Sequence, residues 1–194
     1  MLLLLIIIIL IVFLLPQYTH PRIFHDVITR EEREHIMKRS RHELRPSVVS
    51  TSHVLNKNVR VSDTAWISRE NDPIVDGVIR KCLKYVDRPI ENCESLQVVR
   101  YKPDGFYNLH HDVLDQPNKR MYTFIMCLND DYDGGETVFP NIQKSYRLHP
   151  GDVLLFDNLD NYEFKTPKAL HKGNPVKNGE KWICNLWVRK YAIN

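Results

Sequence analysis

The sequence predicts a mainly β fold, an antiparallel double-sheet jelly roll (double-stranded β-helix) buttressed by α-helices on its N-terminal side. Three observations predict this class. Helical patterns are confined to the chain before Arg88-Pro89, and short β-rich segments separated by turn sequences fill the chain after it. The length of 194 residues, 43% of them hydrophobic, suffices for one domain with a core and hardly for two.

An unbroken apolar run extends from Leu2 to Leu15 and ends at Pro16. As a helix it would reach about 21 Å at ~1.5 Å per residue, against a hydrocarbon core of about 30 Å. No basic residue precedes it and no A-x-A-like cleavage site follows it. Residues 1–16 are therefore expected to be an uncleaved signal-anchor, with a cleaved signal peptide as the alternative.

The orientation signals around this run conflict. Arg22 and Arg30 follow it, and the positive-inside rule would leave the domain cytosolic. Its leading position suggests export instead. The expectation is a single-pass, membrane-anchored protein of the endoplasmic reticulum or secretory pathway, with its folded domain in the lumen.

Two helices are predicted before the β-rich part. The T-R-E-E sequence that starts at Thr29 is a capping box, so a helix is expected from there to about Leu44. Asn71 or Asp72 can cap a second helix, in which Pro73 fits the first helical position. Its apolar residues recur at helical spacing and should pack on the domain. They are Ile74, Val75, Val78, Ile79, Cys82, Leu83 and Val86.

Five β-rich segments follow: Leu96–Tyr101, Met121–Leu128, Glu136–Phe139, Asp152–Phe156 and Trp182–Val188. Turn sequences separate them: Pro103-Asp104-Gly105, Asp133-Gly134-Gly135, Pro150-Gly151 and Asn178-Gly179. Residues 17–90 are therefore expected to form the helical part of one domain and residues 91–194 its jelly-roll core.

Charge and cysteine content exclude some functions. A net charge of +3 and the lack of a basic run with interleaved aromatic residues argue against nucleic acid as a partner. The cysteines show no CxxC spacing, which argues against a zinc or thioredoxin-like site. Cys82 and Cys93 could form a local disulfide in an oxidising compartment, and buried free thiols are the alternative.

The segment Y-N-L-H-H-D ends at Asp112 and carries the first chemical signal. Alternate side chains of a strand share a face, so His110 and Asp112 are expected to point together and His111 to point away. One further neutral nitrogen donor would complete a two-histidine, one-carboxylate triad, which holds Fe(II) and leaves the opposite face open.

His171 is the candidate for the third ligand, and Lys181 follows it at the start of a predicted strand. A cation held inside the barrel can pair with the distal carboxylate of a dicarboxylic co-substrate on the metal. Each residue alone is weak evidence, because a lone HxD is usually a surface feature and a lone lysine is usually solvated. The order and spacing of the four residues carry the prediction.

Six ordered motifs cover roughly two-thirds of the chain. They are Arg60-Val61-Ser62 with Trp66-Ile67, the strand Glu94 to Tyr101, His110 with Asp112, Arg120-Met121-Tyr122-Thr123 with Leu128-Asn129, Gly134 to Pro140 (G-G-E-T-V-F-P), and His171 to Val176 with Gly179 to Trp182 and Trp187. In these motifs the chain resembles the catalytic domain of prolyl 4-hydroxylases, of the 2-oxoglutarate- and Fe(II)-dependent dioxygenase superfamily.

The resemblance implies a role for each matching residue: His110, Asp112 and His171 hold Fe(2+), Lys181 binds 2-oxoglutarate, Tyr101 and Trp187 line the metal chamber, and Arg120 faces the substrate proline. By strand parity, Asn185 and Arg189 share the inward side of Lys181. The reaction implied is hydroxylation of a proline-containing peptide or protein, giving 4-hydroxyproline, succinate and CO2, with L-ascorbate rescuing oxidised iron. The apolar N-terminus also resembles that of single-chain, membrane-anchored members.

Three departures from the family pattern stand out. Asp104 takes a usual glycine position, in a turn that Pro-Asp-Gly can still form. Cys127 replaces a tyrosine expected near the co-substrate carboxylate, and it should share a pocket-facing side with Thr123. A thiol is a weak donor, so looser binding of 2-oxoglutarate is expected. Residues 141–146 form a short segment, which puts substrate-lid contacts in doubt.

Rival functions are weighed by the same residues. Nucleic-acid demethylases of the superfamily typically pair the carboxylate with arginine, whereas this chain has Lys181. Halogenating members lack the carboxylate ligand that Asp112 supplies. A catalytically silent jelly-roll binding module would show a broken triad or no lysine. A dioxygenase that acts on another peptide side chain stays open as an alternative.

Overall fold

The computed structural model describes residues 15–48, 56–113 and 116–193. Its helices are α1 (Arg30–Ser40) and α2 (Pro73–Leu83), with 3₁₀ turns at Ile90–Asn92, Pro140–Ile142 and Pro167–Ala169. Its strands are β1 (Arg22–Phe24), β2 (Arg45–Pro46), β3 (Arg60–Val61), β4 (Asp63–Ile67), β5 (Leu96–Tyr101), β6 (Phe106–His110), β7 (Arg120–Cys127), β8 (Tyr132–Gly134), β9 (Thr137–Phe139), β10 (Lys144–Tyr146), β11 (Val153–Asp157), β12 (His171–Gly173), β13 (Val176–Gly179) and β14 (Lys181–Arg189).

The strands form two antiparallel sheets and a small ribbon. The large sheet has the order β1-β11-β7-β14-β5-β4-β2, the small sheet β10-β9-β12-β6-β3, and the ribbon pairs β13 with β8. Apolar residues of the two sheets pack in one cluster, which includes Ile125, Phe156 and Ile183 of the large sheet and Phe139 of the small one. The predicted mainly β jelly-roll fold is confirmed.

The helices cover the other face of the large sheet. Strand alternation sends Ile183 towards the small sheet, whereas Cys184 and Leu186 pack in a second cluster with Val78 and Ile79 of α2. Because both of its faces are covered, the central strand β14 is buried along most of its length. This strand therefore carries its inward-facing polar side chains on a well-packed support.

Local signals determine where the helices begin and end. The capping box at Thr29 forms as predicted, but α1 ends at Ser40 and not near Leu44. Proline disfavours helical backbone in the residue before it, and Arg45–Pro46 pairs with β4 instead. Asp72 caps α2, accepting from the amides of Ile74 and Val75 at 3.1 and 3.0 Å.

Two members of the predicted apolar stripe are not part of the buried face of α2. Ile74 is 39% exposed, and Val86 follows the end of α2 while still packing on the core. Residues 17–90 also contribute more than helices, because they supply β1, β2 and β4 to the large sheet and β3 to the small one. The four cysteines are free, including Cys82 and Cys93.

The membrane expectation is not borne out. Most of the expected anchor at residues 1–16, namely 1–14, lies outside the described residues. Within the described ranges, no helix is long and apolar enough to cross a bilayer. Each α-helix has 11 residues, about 17 Å at ~1.5 Å per residue. This finding contradicts the expectation of a membrane-anchored protein of the endoplasmic reticulum with a lumenal catalytic domain.

Candidate active site

A cavity of about 540 Å³ opens between the two sheets. Eight of the nine residues singled out from the sequence line it: Tyr101, His110, Asp112, Arg120, His171, Lys181, Asn185 and Trp187. They come from β5, β6, β7, β12 and β14 and from the turn after β6. The ninth, Cys127, lies behind the cavity wall.

Three side chains converge as a candidate metal centre. His110 and His171 face each other in the register of β6 and β12, and Asp112 follows β6 by two residues. One donor atom from each of the three lies within 4.8 Å of the others. Two imidazole nitrogens and one carboxylate form the donor set of non-haem Fe(II) oxygenases, so the residues present fit an iron ion.

Backbone carbonyls orient both imidazoles. Nδ1 of His110 lies 2.7 Å from the carbonyl oxygen of Asn108, and Nδ1 of His171 lies 3.0 Å from that of Ala169. A carbonyl only accepts, so Nδ1 carries a proton in each ring and Nε2 is the nitrogen turned towards the position of a metal. The two Nε2 atoms lie 3.6 and 3.8 Å from the carboxylate of Asp112, and a carbonyl partner at the other ring nitrogen is typical of metal-binding histidines.

Asp112 is held by a buried chain of hydrogen bonds. Its Oδ2 accepts from Thr123 Oγ1 at 2.8 Å, and Asn158 Nδ2 donates to the same hydroxyl at 2.9 Å. Burial would raise the pKa of Asp112, but His171, His110 and Arg120 outweigh it and lower that pKa. The carboxylate is therefore ionised and ready to bind a cation. Thr123 and Asn158 were not assigned this role from the sequence.

His111 does not point away as strand alternation predicts. β6 ends at His110, so alternation stops there, and His111 lines the cavity beside Lys165. Burial and the Lys165 ammonium lower the pKa of His111 to about 4. Its Nδ1 is buried without a hydrogen-bond partner among the described residues. His111 belongs to the cavity wall and not to the metal centre.

Lys181 is a buried cation at the inner end of the cavity. The residue is 5% exposed, and its Nζ donates to the carbonyl oxygen of Gly135 at 2.6 Å. No carboxylate within the described part of the chain forms an ion pair with it. Burial lowers the pKa of Lys181 to about 8. A buried ammonium without a counter-ion fits a carboxylate-bearing ligand.

Arg120 lies flat against Trp187 at the other end of the cavity. Its Cζ is 3.7 Å from the centroid of the Trp187 ring, and Nε and Nη2 donate to Glu94 at 2.7 and 2.6 Å. Glu94 also accepts from Arg189 at 2.8 Å. One largely buried carboxylate thus fixes two arginines. Nothing in the residue type of Glu94 alone indicated this role.

Two other sequence expectations concern polar residues near the cavity. Asn185 Nδ2 donates to Gln97 Oε1 at 3.2 Å, and both residues line the cavity. Cys127 is buried, with its thiol 3.1 Å from the carbonyl oxygen of Asn129. Asp104 has a φ of 66°, the left-handed region that aspartate tolerates better than most residues, so the turn survives without its glycine.

Comparisons with known proteins identify the family of this chain. The family model of the 2OG-Fe(II) oxygenase superfamily matches residues 96–189. A candidate prolyl 4-hydroxylase of Acanthamoeba polyphaga mimivirus is 35% identical over 185 residues, which cover 89% of this chain and 75% of that protein. Prolyl 4-hydroxylase 1 of Arabidopsis thaliana is 32% identical over 200 residues, covering 90% of this chain and 71% of the relative.

The fold has a solved counterpart as well. The 2-oxoglutarate complex of the viral collagen prolyl hydroxylase of Paramecium bursaria Chlorella virus-1 superposes with a TM-score of 0.75. That match is 24% identical and covers 89% of this chain and 97% of the other. Sequence identity to the curated relatives, not the fold alone, decides the assignment. The chain belongs to the prolyl 4-hydroxylase family of the 2-oxoglutarate- and Fe(II)-dependent oxygenases.

Proposed function

We propose that this chain is a 2-oxoglutarate- and Fe(II)-dependent dioxygenase that hydroxylates peptidyl proline to 4-hydroxyproline. One observation carries the proposal: the His110–Asp112–His171 cluster opens into the same cavity as the buried, unpaired Lys181. A metal centre and a carboxylate-binding cation in one cavity fit a chelating dicarboxylic co-substrate. The family of the chain supports the same reaction.

The roles follow from position and charge. His110, Asp112 and His171 would hold the iron, and Lys181 would pair with the distal carboxylate of 2-oxoglutarate. Iron bound there supplies O2 activation coupled to oxidative decarboxylation, with succinate and CO2 as co-products. Tyr101, whose ring centroid lies 5.4 Å from Lys181 Nζ, would wall off the co-substrate from water.

Arg120, Trp187 and Asn185 would form the end of the cavity that receives the proline. Arg120 is stacked on Trp187 and fixed by Glu94, so its position needs no reordering when substrate arrives. Trp187 supports Arg120 at this end, because the guanidinium covers a face of its ring. Asn185 lies between this end and Lys181 on β14.

A groove continues from the cavity and fits a peptide better than a free small molecule. It has a volume of about 550 Å³ and shares Arg60, Gln97, Gln116 and Arg120 with the cavity. Its floor is the inner face of β4 and β2, and it includes Trp66, which is 47% exposed. An exposed aromatic side chain in a groove is typical of sites that bind proline-rich, extended peptides.

L-ascorbate is proposed as the reductant that restores iron oxidised in uncoupled turnovers. The alternative target, another peptide side chain, is favoured by no residue of the cavity. Proline-rich peptides and a Gly-X-Pro repeat, incubated with enzyme, Fe(II), 2-oxoglutarate and ascorbate, should gain one oxygen atom at proline by mass spectrometry. The His171→Ala variant is the control and should give no product. Oxygen found only on other residues, or succinate formed without peptide oxidation, would contradict the proposal.

A further inference from the structure

The chamber behind Lys181 has an altered wall. Cys127, at the end of β7, stands where a tyrosine is usual in the family. Its thiol is engaged by backbone carbonyls of Asn129 and Leu148, at 3.1 and 3.6 Å. A thiol is a weak donor, so β7 supplies little to a carboxylate held at Lys181.

A phenol reaches the same place from another strand. Tyr132 of β8 is 7% exposed, and its hydroxyl oxygen lies 4.0 Å from the Cys127 sulfur. Both residues line a void of about 10 Å³ that Lys181 and Thr137 also line. Lys181 and Thr137 in turn line the main cavity. The Tyr132 side chain is thus at the inner end of the co-substrate chamber.

Gly135 brings the Tyr132 ring and the Lys181 stem together. A Cβ atom placed on Gly135 would lie 3.1 Å from Lys181 Cδ and 3.3 Å from Tyr132 Cε2. Both side chains therefore pack against Gly135 on the side where any other residue would carry a Cβ atom. The φ of Gly135 is +68°. Lys181 Nζ also donates to its carbonyl oxygen. The ammonium and the phenol are held against the same short backbone segment.

The Tyr132 ring is fixed from its other side. The Arg147 guanidinium carbon lies 3.8 Å from the ring centroid, and Arg147 donates to the carbonyl oxygens of Tyr132 and Gly134 at 2.6 and 2.5 Å. Burial raises the pKa of Tyr132, so the hydroxyl keeps its proton and can donate.

We infer that Tyr132 is a 2-oxoglutarate-binding residue of this chain, whose hydroxyl donates to the distal carboxylate beside Lys181 in place of the phenol that Cys127 lacks. The inference rests on the proposed role of Lys181. With this phenol in place, the looser binding of 2-oxoglutarate expected from Cys127 does not follow. A tyrosine at position 127 would overlap Tyr132, since the Cys127 sulfur and the Tyr132 hydroxyl oxygen are only 4.0 Å apart. Cys127→Tyr alone should overpack the chamber and destabilise the fold.

Tyr132→Phe tests the inference with little change in shape. The dissociation constant of 2-oxoglutarate is measured by calorimetry on the Zn(II)-loaded protein, which does not turn over. Loss of a hydrogen bond to a charged group should raise it roughly tenfold. Tyr146→Phe is the matched control, because Tyr146 lines the same void but donates to the carbonyl oxygen of Pro21 at 3.3 Å. The dissociation constant of 2-oxoglutarate should not change in Tyr146→Phe.

Two further variants separate the possible failures. Lys181→Ala should raise the constant by roughly 10- to 150-fold. An unchanged constant in Tyr132→Phe with a raised one in Lys181→Ala would overturn the role of Tyr132 and leave that of Lys181. Unchanged constants in both would overturn the two roles together. The double variant Cys127→Tyr/Tyr132→Ala should bind 2-oxoglutarate nearly as well as the unsubstituted chain, since the phenol then comes from β7.

Discussion

His110, Asp112 and His171 depend on one another for their geometry. The two histidines are cross-strand neighbours, and both Nε2 atoms face the Asp112 carboxylate. Alanine at any of the three should abolish turnover and lower the Fe(II) content after dialysis, because two donors remain where three are required. Metal analysis of the purified variants measures this directly.

His111 supplies the matched control for these variants. It is next to His110 in sequence and lines the same cavity, but its ring is not part of the donor cluster. His111→Ala should keep its iron while losing affinity for peptide, since its ring forms part of the cavity wall. Iron lost from His111→Ala and kept in His110→Ala would contradict the assignment of ligands.

The sequence was sufficient to find the residues whose types and order are unusual. The HxD pair, His171 and Lys181 stand out because their order and spacing match a metal-binding triad followed by a cation for a carboxylate. Thr123, Asn158, Glu94 and Tyr132 act through contacts with residues far along the chain. Tertiary packing alone creates those contacts, so no local pattern indicated their roles.

The longest strands were predicted from the sequence, and most of the short ones were not. β5, β7 and β14 have six to nine residues, long enough to show a β-rich composition. β1, β2, β3, β8, β10, β12 and β13 have two to four. Such short strands are stabilised by pairing with neighbours, and their own residues carry no period. The helices were found through their caps, which are local signals.

The cap of α2 gives a prediction about acid stability. Burial would raise the pKa of Asp72, but bonds from His35, the Val75 amide and Arg39 lower it from 3.8 to about 2. A lowered pKa means that the stabilisation is complete above pH 4 and is lost as the pH falls towards 2. Asp72→Asn keeps the cap oxygen and loses the charge. Urea unfolding should show the variant less stable at pH 7 by about 1 kcal/mol, with a smaller difference at pH 3.

Asp72→Ala separates the cap from the charge. It should lose about 1 kcal/mol more than Asp72→Asn at both pH values, because the amides of Ile74 and Val75 lose their acceptor. If the free energy of unfolding depends on pH equally in the unsubstituted chain and in Asp72→Asn, the Asp72 charge does not stabilise the fold.

The inner face of β4 gives a prediction about peptide binding. Trp66 is paired in register with Gln97 of β5, and its ring centroid lies 5.8 Å from that of Trp187. Trp66→Ala should raise the KM for a proline-rich peptide roughly tenfold through the loss of aromatic contact. The KM for 2-oxoglutarate should stay the same, because Trp66 does not line the cavity.

Two variants make this test specific. Trp66→Phe should recover most of the peptide affinity, since an aromatic face is retained. Phe164→Ala removes another exposed aromatic ring, 66% exposed and outside the groove, and should leave both KM values unchanged. An unchanged peptide KM in Trp66→Ala would mean that the substrate does not follow the groove over β4.

At the scale of the whole molecule, the apolar clusters that stabilise the fold and the polar side chains of the site occupy different places. The helices and the large sheet enclose one large apolar cluster, and the two sheets enclose a second. Most polar side chains of the site enter on the inner face of the large sheet and on β6 and β12, and Asp112 comes from the turn after β6. Buried charges there oppose folding unless they are paired. Asp112 and Glu94 have cationic or hydrogen-bonding neighbours, whereas the described residues offer Lys181 one carbonyl and the ring of Tyr101.

Lys181 therefore predicts a trade-off between the stability of the ligand-free fold and co-substrate binding. Its pKa of about 8, against an ordinary 10.5, means that the folded state is disfavoured by about 3 kcal/mol at pH 7. The penalty is complete below pH 8 and disappears as the pH rises from there towards 10.5.

Lys181→Met fills the same space without charge and loses one hydrogen bond, worth about 1 kcal/mol. The ligand-free variant should unfold at a higher temperature than the unsubstituted chain at pH 7, and the gap should narrow at pH 9.5. 2-Oxoglutarate should raise the melting temperature of the metal-loaded unsubstituted chain and not that of the variant. A variant that melts lower at pH 7, with its sheets otherwise intact, would mean that the Gly135 contact stabilises Lys181 more than burial disfavours it.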